Sequence, residues 1–413
     1  MKISPKSPSN SVIMCSLVTY QTESRIRTMA HHNTVFHHML KFVPRHEFSK
    51  LEKQHSTGRK ARSFTRWNQF VHLMFMQLTS RASLRDNIES LKVRFKNLYH
   101  LDARPVPRST FSDANNRRPA SFYEALFQSI YRRCKPLAPK HKFKFKNKLY
   151  SLDATVVNLS LTLFPWASFR RSKGAIKLHT VLDHDGYLPC FVSISDGKMH
   201  EIKVARSIHL PKGSIVVEDR AYTDYAWFGD LVQNGIFFIT RQKKNATYRV
   251  IERRDINKNQ GLTSDQTIML TGIKAEQCPY PLRRIGYRDP ETKKHYVFLT
   301  NNFRLSPKTI ANVYKERWQI EIFFRWIKQN LKIKAFVGNS ENAVMTQIYV
   351  ALITYLLLSY VKFLSRIGMS LQNLLRILQL NLFRNCTLRE LLEPPPALAD
   401  DNLISNQLTL ALA

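Results

Sequence analysis

The chain has 413 residues, of which 44% are apolar, so it can bury a core, and its length exceeds what one ordinary core holds. Lysine and arginine together number 64 against 30 acidic residues, which gives a formal net charge of +34. This excess is far beyond what solubility requires and indicates a polyanionic partner. A membrane surface or an acidic protein would also attract it, but nucleic acid accounts better for the aromatic residues among the basic ones.

The cysteine pattern and the apolar segments indicate the cellular compartment. Five cysteines, odd in number and widely separated, favour free thiols in a reducing cytoplasm over disulfides or a zinc site. Residues 1–20 lack the apolar core of a signal peptide. Residues 342–361 carry no charge and have about the length of a bilayer-spanning helix. Their interspersed polar side chains favour a buried core helix instead.

The N-terminal part of the chain is predicted to be helical. Residues 1–28 are polar and irregular and are predicted to be a disordered extension, followed by a helical DNA-binding domain at residues 29–135. Thr65 precedes a helically spaced apolar run, Ser83 is placed to cap a second helix, and Ser109 opens a third. The third carries amide and basic side chains typical of a helix-turn-helix DNA reader, namely Asn115, Asn116, Arg117 and Arg118. A plain helical bundle with a basic surface fits this pattern equally well.

After residue 134 the pattern becomes that of β-strands, because apolar and polar residues alternate. A first extended run begins at residues 142–146 and continues at 149–161, and two more strands are predicted at 175–182 and 187–194. The last two are joined by a turn at Asp185-Gly186. The next predicted elements are a helix, a buried strand, a second helix and a strand, at about residues 201–208, 214–217, from 223, and 236–240. This β-β-β-α-β-α-β order is the layout of a ribonuclease-H-like core.

The predicted fold class is therefore α/β, with this core at residues 140–335. Residues 241–288 are turn-rich and basic, and they are predicted to be a β-rich insertion into the core. A strand at 296–300 and one long helix from Pro307 to about Leu331, capped by Ser306, complete it. The last predicted parts are a helical C-terminal region and a loose tail, at residues 336–390 and 391–413.

Four polar side chains share one face of the predicted long helix. At about 100° per residue they fall within a wedge of roughly 60°, which adjoins the apolar stripe and so borders a cleft. They are Tyr314, Arg317, Glu321 and Lys328. A salt-bridged helix surface would also explain Arg317 and Glu321, since ion pairs at this spacing are common.

Two isolated aspartates, Asp153 and Asp219, lie on or at the end of predicted strands of the same core. Unpaired buried carboxylates are costly, and metal coordination is the usual remedy. Glu218 competes with Asp219, because neighbours in a strand point to opposite faces and only one of them can join Asp153.

Together with Glu321, these acids predict a site for phosphodiester chemistry. Three carboxylates suit two Mg²⁺ ions about 4 Å apart, which can activate an oxygen nucleophile and stabilise the leaving 3′-oxygen. We expect Asp153 to bridge both ions, with Asp219 and Glu321 each completing one side. The remaining side chains of the wedge are expected to contact DNA: Arg317 and Lys328 at phosphate, and Tyr314 at the backbone or sugar.

The spacing of the four wedge residues resembles the Tyr-Arg-Glu-Lys signature of the insertion-sequence-four family of bacterial DDE transposases. Asp219, followed by Ala221 and an aromatic Tyr222, is similar to that family's second-aspartate motif, which selects Asp219 over Glu218. Asp153 takes the first place. The resemblance covers the chain from about residue 29 to about residue 383.

The resemblance implies Mg²⁺ dependence, with Mn²⁺ as a substitute, and cut-and-paste movement, often through a hairpin at the element end. The implied partners are double-stranded DNA, terminal inverted repeats and target DNA, bound by a homodimer in a paired-end complex that works in the cytoplasm at the nucleoid and involves no membrane. Relatives stack a tryptophan of the β-insertion on a flipped base, but all five tryptophans here lie outside residues 241–288. The candidates for that role are Tyr280, Tyr287 and Tyr296.

Two other functions compete with transposition. A metal-dependent nuclease on the same core would cut without joining. A catalytically silent DNA-binding regulator would have lost at least one carboxylate, whereas all three are present in this sequence.

Overall fold

The computed structural model describes residues 33–56, 63–81, 83–170, 173–366 and 368–393. The predicted extension at 1–28 and residues 394–413 of the predicted tail lie outside this range. The described chain forms helices around one ten-stranded sheet, so it is a mixed α/β protein as predicted.

Seven helices are described before the sheet. They are α1 Val35–Lys41, α2 Arg45–Gln54, α3 Arg66–Thr79, α4 Leu84–Val93, α5 Phe95–Tyr99, α6 Arg108–Arg117 and α7 Ser121–Cys134. The predicted cap at Ser83 is confirmed, because its hydroxyl accepts from the Asp86 amide at 3.1 Å. Thr65 caps α3 in the same way, with its hydroxyl accepting from the Asn68 amide at 3.1 Å. Helix α3 is buried along nearly its whole length, so it is the centre of this helical part.

Five strands form the central part of the sheet. Their order across the sheet is β4 Leu188–Asp196, β3 Lys173–Asp183, β1 Leu149–Leu159, β5 Ile215–Glu218 and β6 Phe237–Arg241, with the short β2 Ser168–Arg170 on β3. Strand β3 is antiparallel to both of its neighbours, β4 and β1. Strand β5 is parallel to both of its neighbours, β1 and β6. Helices α8 Glu201–Ala205 and α9 Tyr225–Gln233 lie in the connections. Apart from β2, this is the predicted order of elements.

The segment predicted as a β-rich insertion extends the same sheet. It forms β7 Tyr248–Arg253, β8 Leu262–Leu270 and β9 Leu282–Arg288, and β9 pairs with β10 His295–Thr300, which pairs with β6. The extension is therefore continuous with the core through hydrogen bonds between β10 and β6.

Of the five C-terminal helices, the first three pack against the sheet and the last two pack against other helices. They are α10 Pro307–Lys315, α11 Trp318–Asn330, α12 Glu341–Ser365, α13 Leu371–Asn381 and α14 Leu388–Leu392. Helix α12 is long and apolar enough to cross a membrane, but 89% of its most apolar stretch is buried inside the protein. The prediction of a buried core helix is confirmed by this burial.

The prediction of a strand at residues 142–146 is wrong, because this segment forms bends. Strand β1 already has β3 and β5 on its two sides, so no free edge is available to the segment. Phe143 and Phe145 instead stack on each other with ring centroids 5.2 Å apart and pack against the core.

The prediction of one long helix after Pro307 is also wrong. Helix α10 ends at Lys315 and α11 begins at Trp318, and around the junction the amides of Arg317 and Ile320 bond to carbonyls three residues back. The Glu316 carboxylate at this tightened turn accepts from Lys142 Nζ at 2.6 Å and from the Tyr187 hydroxyl at 3.2 Å. These contacts from distant segments hold the turn in place.

Candidate active site

The strand pairing brings Asp153 and Asp219 to one face of the sheet. The parallel register of β1 and β5 ends with Leu152 opposite Glu218, so both aspartates follow directly after that pair. Because side chains alternate along strands, Asp153 and Asp219 point to the face opposite Leu152 and Glu218. Glu218 is fully buried on the other face, where its Oε2 accepts from Trp227 Nε1 at 3.1 Å.

Helix α11 places Arg317 and Glu321 over Asp153. The Arg317 guanidinium donates from Nη1 to Asp153 Oδ2 at 3.1 Å and from Nη2 to Glu321 Oε1 at 2.6 Å. A single arginine therefore links the strand acid to the helix acid. Glu321 lies in the first turn of α11, where the helix dipole favours a negative charge.

Asp219 has its own cation, Arg241 at the end of β6. Arg241 Nη2 donates to Asp219 Oδ1 at 2.9 Å, and the Arg220 amide donates to the same oxygen at 2.7 Å. No role for Arg241 was predicted from the sequence. The signal for it was its position at the carboxyl end of a parallel strand next to β5, where side chains of neighbouring strands meet.

The electrostatics show that the three acids influence one another. Burial raises the pKa of Asp153 to about 6, and the negative charges of Glu321 and Asp219 act in the same direction, against the Ala154 amide and Arg317. Burial alone would also raise the pKa of Asp219, but hydrogen bonds from Arg241 and the Arg220 amide hold it below its ordinary value. Three carboxylates thus share two arginines, which leaves negative charge in excess.

The donor chemistry fits divalent metal ions, because hard cations take carboxylate oxygens. The side chains of Asp153, Asp219 and Glu321 are 21%, 31% and 31% exposed, so ions could reach them from solvent. However, among the described residues no three acidic, histidine or cysteine side chains converge closely enough to hold an ion as they stand. The Arg317 guanidinium lies between Asp153 and Glu321 and donates to both carboxylates.

The other two wedge residues are less open than expected. Tyr314 is 8% exposed and packs on Phe298 with ring centroids 4.9 Å apart. Lys328 Nζ donates to Thr155 Oγ1 at 2.6 Å and to the Val156 carbonyl at 2.8 Å, which ties α11 to β1. Tyr314 does border a cleft of about 260 Å³, also lined by Arg241, Tyr296, Arg317 and Trp318.

The three candidate stacking tyrosines lie in different settings. Tyr287 is buried, and its hydroxyl accepts from Lys308 Nζ at 2.9 Å. Tyr296 lines the cleft and stacks on Phe298, with ring centroids 6.1 Å apart and planes at 8°. Tyr280 packs against the core on the Glu218 side of the sheet. A role in stacking on a flipped base stays a prediction for each.

Comparison with known proteins identifies the family. Residues 144–357, more than half of the chain, match the family described as "Transposase DDE domain". The chain belongs to the DDE transposase family. The match spans the strands and helices that carry Asp153, Asp219 and Glu321. Residues 31–104, in the helical N-terminal part, match a separate domain of unknown function.

Curated relatives of this transposase are bacterial. It is 32% identical over 291 residues to a putative transposase of Sinorhizobium fredii, covering 69% of this chain and 80% of the relative. It is 29% identical over 255 residues to a probable insertion-sequence transposase of Geobacillus stearothermophilus, covering 61% and 66%. A putative insertion-sequence transposase of Synechocystis is 25% identical over 294 residues, covering 70% and 82%. The predicted family and the predicted function of an insertion-sequence transposase are confirmed.

Proposed function

We propose that this transposase cuts its element at terminal inverted repeats and joins the ends to target DNA with Asp153, Asp219 and Glu321 as its catalytic carboxylates. The observation that carries the proposal is the meeting of these three acids, from β1, the end of β5 and α11, around two arginines on one face of the sheet. The strand order supports a ribonuclease-H-like core. Two Mg²⁺ ions, with Mn²⁺ as a substitute, would supply activation of the nucleophile and stabilisation of the leaving oxygen.

Arg317 has two roles in this proposal. It bridges Asp153 and Glu321 and so reduces the repulsion between their carboxylates. A DNA phosphate offers the same pair of anionic acceptors to a guanidinium. When a DNA end enters, Arg317 transfers its hydrogen bonds to phosphate, and the oxygens of Asp153 and Glu321 become available.

Lys328 and Tyr314 complete the proposed DNA contacts. The Lys328 ammonium has three donors, and two of them bind β1, so one remains for a phosphate oxygen. Tyr314 lines the same cleft as Arg241 and Arg317, and the Arg241 guanidinium lies 6.0 Å from its ring centroid. Its hydroxyl is buried without a hydrogen-bond partner, so it is available to a DNA backbone or sugar that enters the cleft.

The wider organisation follows from the same reaction. Joining two element ends suits a homodimer, in which each protomer holds one end at the nucleoid in the cytoplasm. Residues 29–135 are proposed to recognise the repeats, residues 140–335 to carry the core with the insertion at 241–288, and residues 336–390 to support it.

The adjacent acids Glu218 and Asp219 provide a matched test. Purified variants would be assayed for Mg²⁺-dependent nicking and for joining to a target plasmid, with DNA that carries both ends of the element. We expect Asp219→Asn to lose cleavage while Glu218→Gln retains it, because only Asp219 faces Asp153. Cleavage by Asp219→Asn near the wild-type rate would contradict the assignment. Nicking by the wild type without joined products would favour the nuclease.

A further inference from the structure

The N-terminal side chains predicted to read DNA are partly used inside the protein. Asn115 is 2% exposed, and its Oδ1 accepts from Gln69 Nε2 at 2.8 Å. Arg118 donates to the Thr65 carbonyl at 3.0 Å, to Gln69 Oε1 at 3.2 Å and to the Phe64 carbonyl. These two residues support the plain-bundle interpretation of helix α6, whereas Asn116 and Arg117 on the same helix are exposed. A second surface of the N-terminal region is a further candidate for DNA contact.

A groove of about 310 Å³ lies where the end of α3 and helix α4 meet the end of α13 and the loop after it. Three arginines line it, and none of its lining residues is acidic. The lining residues are Phe75, Thr79, Arg81, Ser90, Arg94, Gln379, Leu380, Leu382, Phe383 and Arg384. None of these residues belongs to the carboxylate site, so the groove is a separate feature.

The arginines of this groove are poorly neutralised. Arg94 and Arg384 are exposed, and neither guanidinium has a carboxylate partner among the residues the structure describes. Arg81 is 3.2 Å from Asp86, but its Nε is buried without a hydrogen-bond partner. The groove therefore presents a net positive charge, which comes mainly from Arg94 and Arg384.

Aromatic rings hold two of these guanidinium groups beside the groove. The Arg94 guanidinium lies 5.3 Å from the Phe383 ring centroid, and that of Arg81 lies 5.8 Å from the Phe75 ring centroid. Such contacts restrict the long side chains. The donor edge of Arg81 is partly occupied by Asp86, whereas Arg94 has no carboxylate partner among the described residues. A planar donor fork matches the two oxygens of a phosphodiester.

We propose that this groove binds the phosphate backbone of double-stranded DNA through Arg81, Arg94 and Arg384. The family acts on DNA, the chain carries a net charge of +34, and the exposed residues Lys92, Phe95 and Lys96 flank Arg94 in sequence, at the end of α4 and the start of α5. Backbone contacts position a protein without reading sequence. The groove thus supplies affinity for DNA of any sequence. This proposal rests on the family's action on DNA and does not depend on which carboxylates are catalytic.

The salt dependence of binding tests this site. A fluorescent duplex of arbitrary sequence would be titrated with full-length protein at several salt concentrations. Each phosphate contact contributes about 0.9 to the slope of log affinity against log salt, so the triple Arg→Gln variant at positions 81, 94 and 384 should lose about 2.7. Single variants should each lose about 0.9, and Arg→Lys variants should retain most of the slope.

Arg85→Gln is the matched control, because Arg85 is exposed on α4 but does not line the groove. Melting temperatures of all variants should stay near that of the wild type, since surface pairs contribute little stability. A triple variant with an unchanged slope, or one no lower than the control's, would overturn the proposal. Binding of inorganic phosphate in the groove with an unchanged duplex slope would also overturn it. Absence of strand cleavage in the wild type would contradict the proposed function and leave these slopes interpretable.

Discussion

Two arginine–carboxylate clusters lie in the same sheet and differ in charge balance and exposure. In the extension, Arg283 on β9 donates to both oxygens of Asp265 on β8, at 2.9 and 2.7 Å. Their side chains are 5% and 3% exposed, and Arg254 lies 3.4 Å from the same carboxylate. In the core, Arg317 joins Asp153 and Glu321, with side chains 13%, 21% and 31% exposed.

The first cluster has as many arginines as acids, because Arg254 also bonds to Glu252 at 2.9 Å, and its central pair is closed. The second has more acids than arginines and is open. Arg283 also donates to the carbonyls of Asn302 at 3.3 Å and Leu305 at 2.6 Å, so its donors are satisfied within the fold. A buried, satisfied pair fixes structure. Carboxylates that outnumber their arginines at an open edge can instead accept a further cation. The number of arginines for each carboxylate therefore distinguishes the structural cluster from the functional one.

Breaking the closed pair should have the largest effect on stability. Arg283→Met leaves Asp265 with one distant cation, and we expect the free energy of unfolding to fall by about 3–5 kcal/mol. Arg254→Met is the control, because its guanidinium is 30% exposed and should cost less than about 1 kcal/mol. Urea unfolding measures both. Equal, small losses would mean that the closed cluster is not a structural unit.

Glu218 sharpens the comparison, because it is a buried acid with no arginine. Burial raises the pKa of Glu218 to about 8 from its ordinary 4.5, although Trp227 opposes this shift. The folded state therefore holds a proton that the unfolded state loses, and stability should fall as pH rises from about 4.5 to about 8. Glu218→Gln should flatten this decline. If the free energy of unfolding varies with pH in the same way in the wild type and in Glu218→Gln, the raised pKa of Glu218 is contradicted.

Removing the cation of the open cluster should strengthen metal binding. Without Arg317, the oxygens of Asp153 and Glu321 lose two partly exposed ion pairs, each worth up to about 1 kcal/mol, so Arg317→Ala should bind Mn²⁺ about tenfold more tightly without DNA. Titration calorimetry measures this affinity, and Arg325→Ala, exposed on the same helix, is the control. Unchanged or weaker binding would show that Arg317 does not occupy the ion's place.

Lys328 should give the smallest effect. Lys328→Ala loses one proposed phosphate contact and two hydrogen bonds to β1, so we expect assembly of the paired-end complex and strand transfer to fall by about tenfold, with little change in single-end binding. Lys328→Arg should be closer to the wild type, since it keeps the charge. Equal loss at the single-end step would place Lys328 in general DNA attraction.

The parts of the site that depend on local pattern could be predicted from the sequence. Strand alternation separates Asp219 from Glu218, and the four-residue spacing of Arg317 and Glu321 places them together, because both depend only on neighbouring residues. The turn at Glu316 could not be predicted, since Lys142 and Tyr187 hold it from distant segments.

Contacts between separate helices and strands could not be predicted either, because they depend on residues that are distant in the sequence. The pairing of Arg241 with Asp219 requires β6 to lie beside β5, and the alternation of residues 142–146 indicates a strand only where a sheet edge is free. Asn115 was predicted to lie on the surface, but it is buried against Gln69 from another helix, and a contact between two helices cannot be predicted from local sequence.

The most direct test compares Asp153→Asn with Asp265→Asn, one from each cluster, in paired assays of strand cleavage and urea unfolding. Asp153→Asn should lose cleavage by more than about 100-fold, because even residues that merely orient metal ligands are worth about 10- to 100-fold, while its stability stays near that of the wild type. Asp265→Asn should lose about 3–5 kcal/mol of stability and still cleave at low temperature. If Asp153→Asn cleaves near the wild-type rate while folded Asp265→Asn does not cleave, the assignment of Asp153 to catalysis and of Asp265 to structure is contradicted.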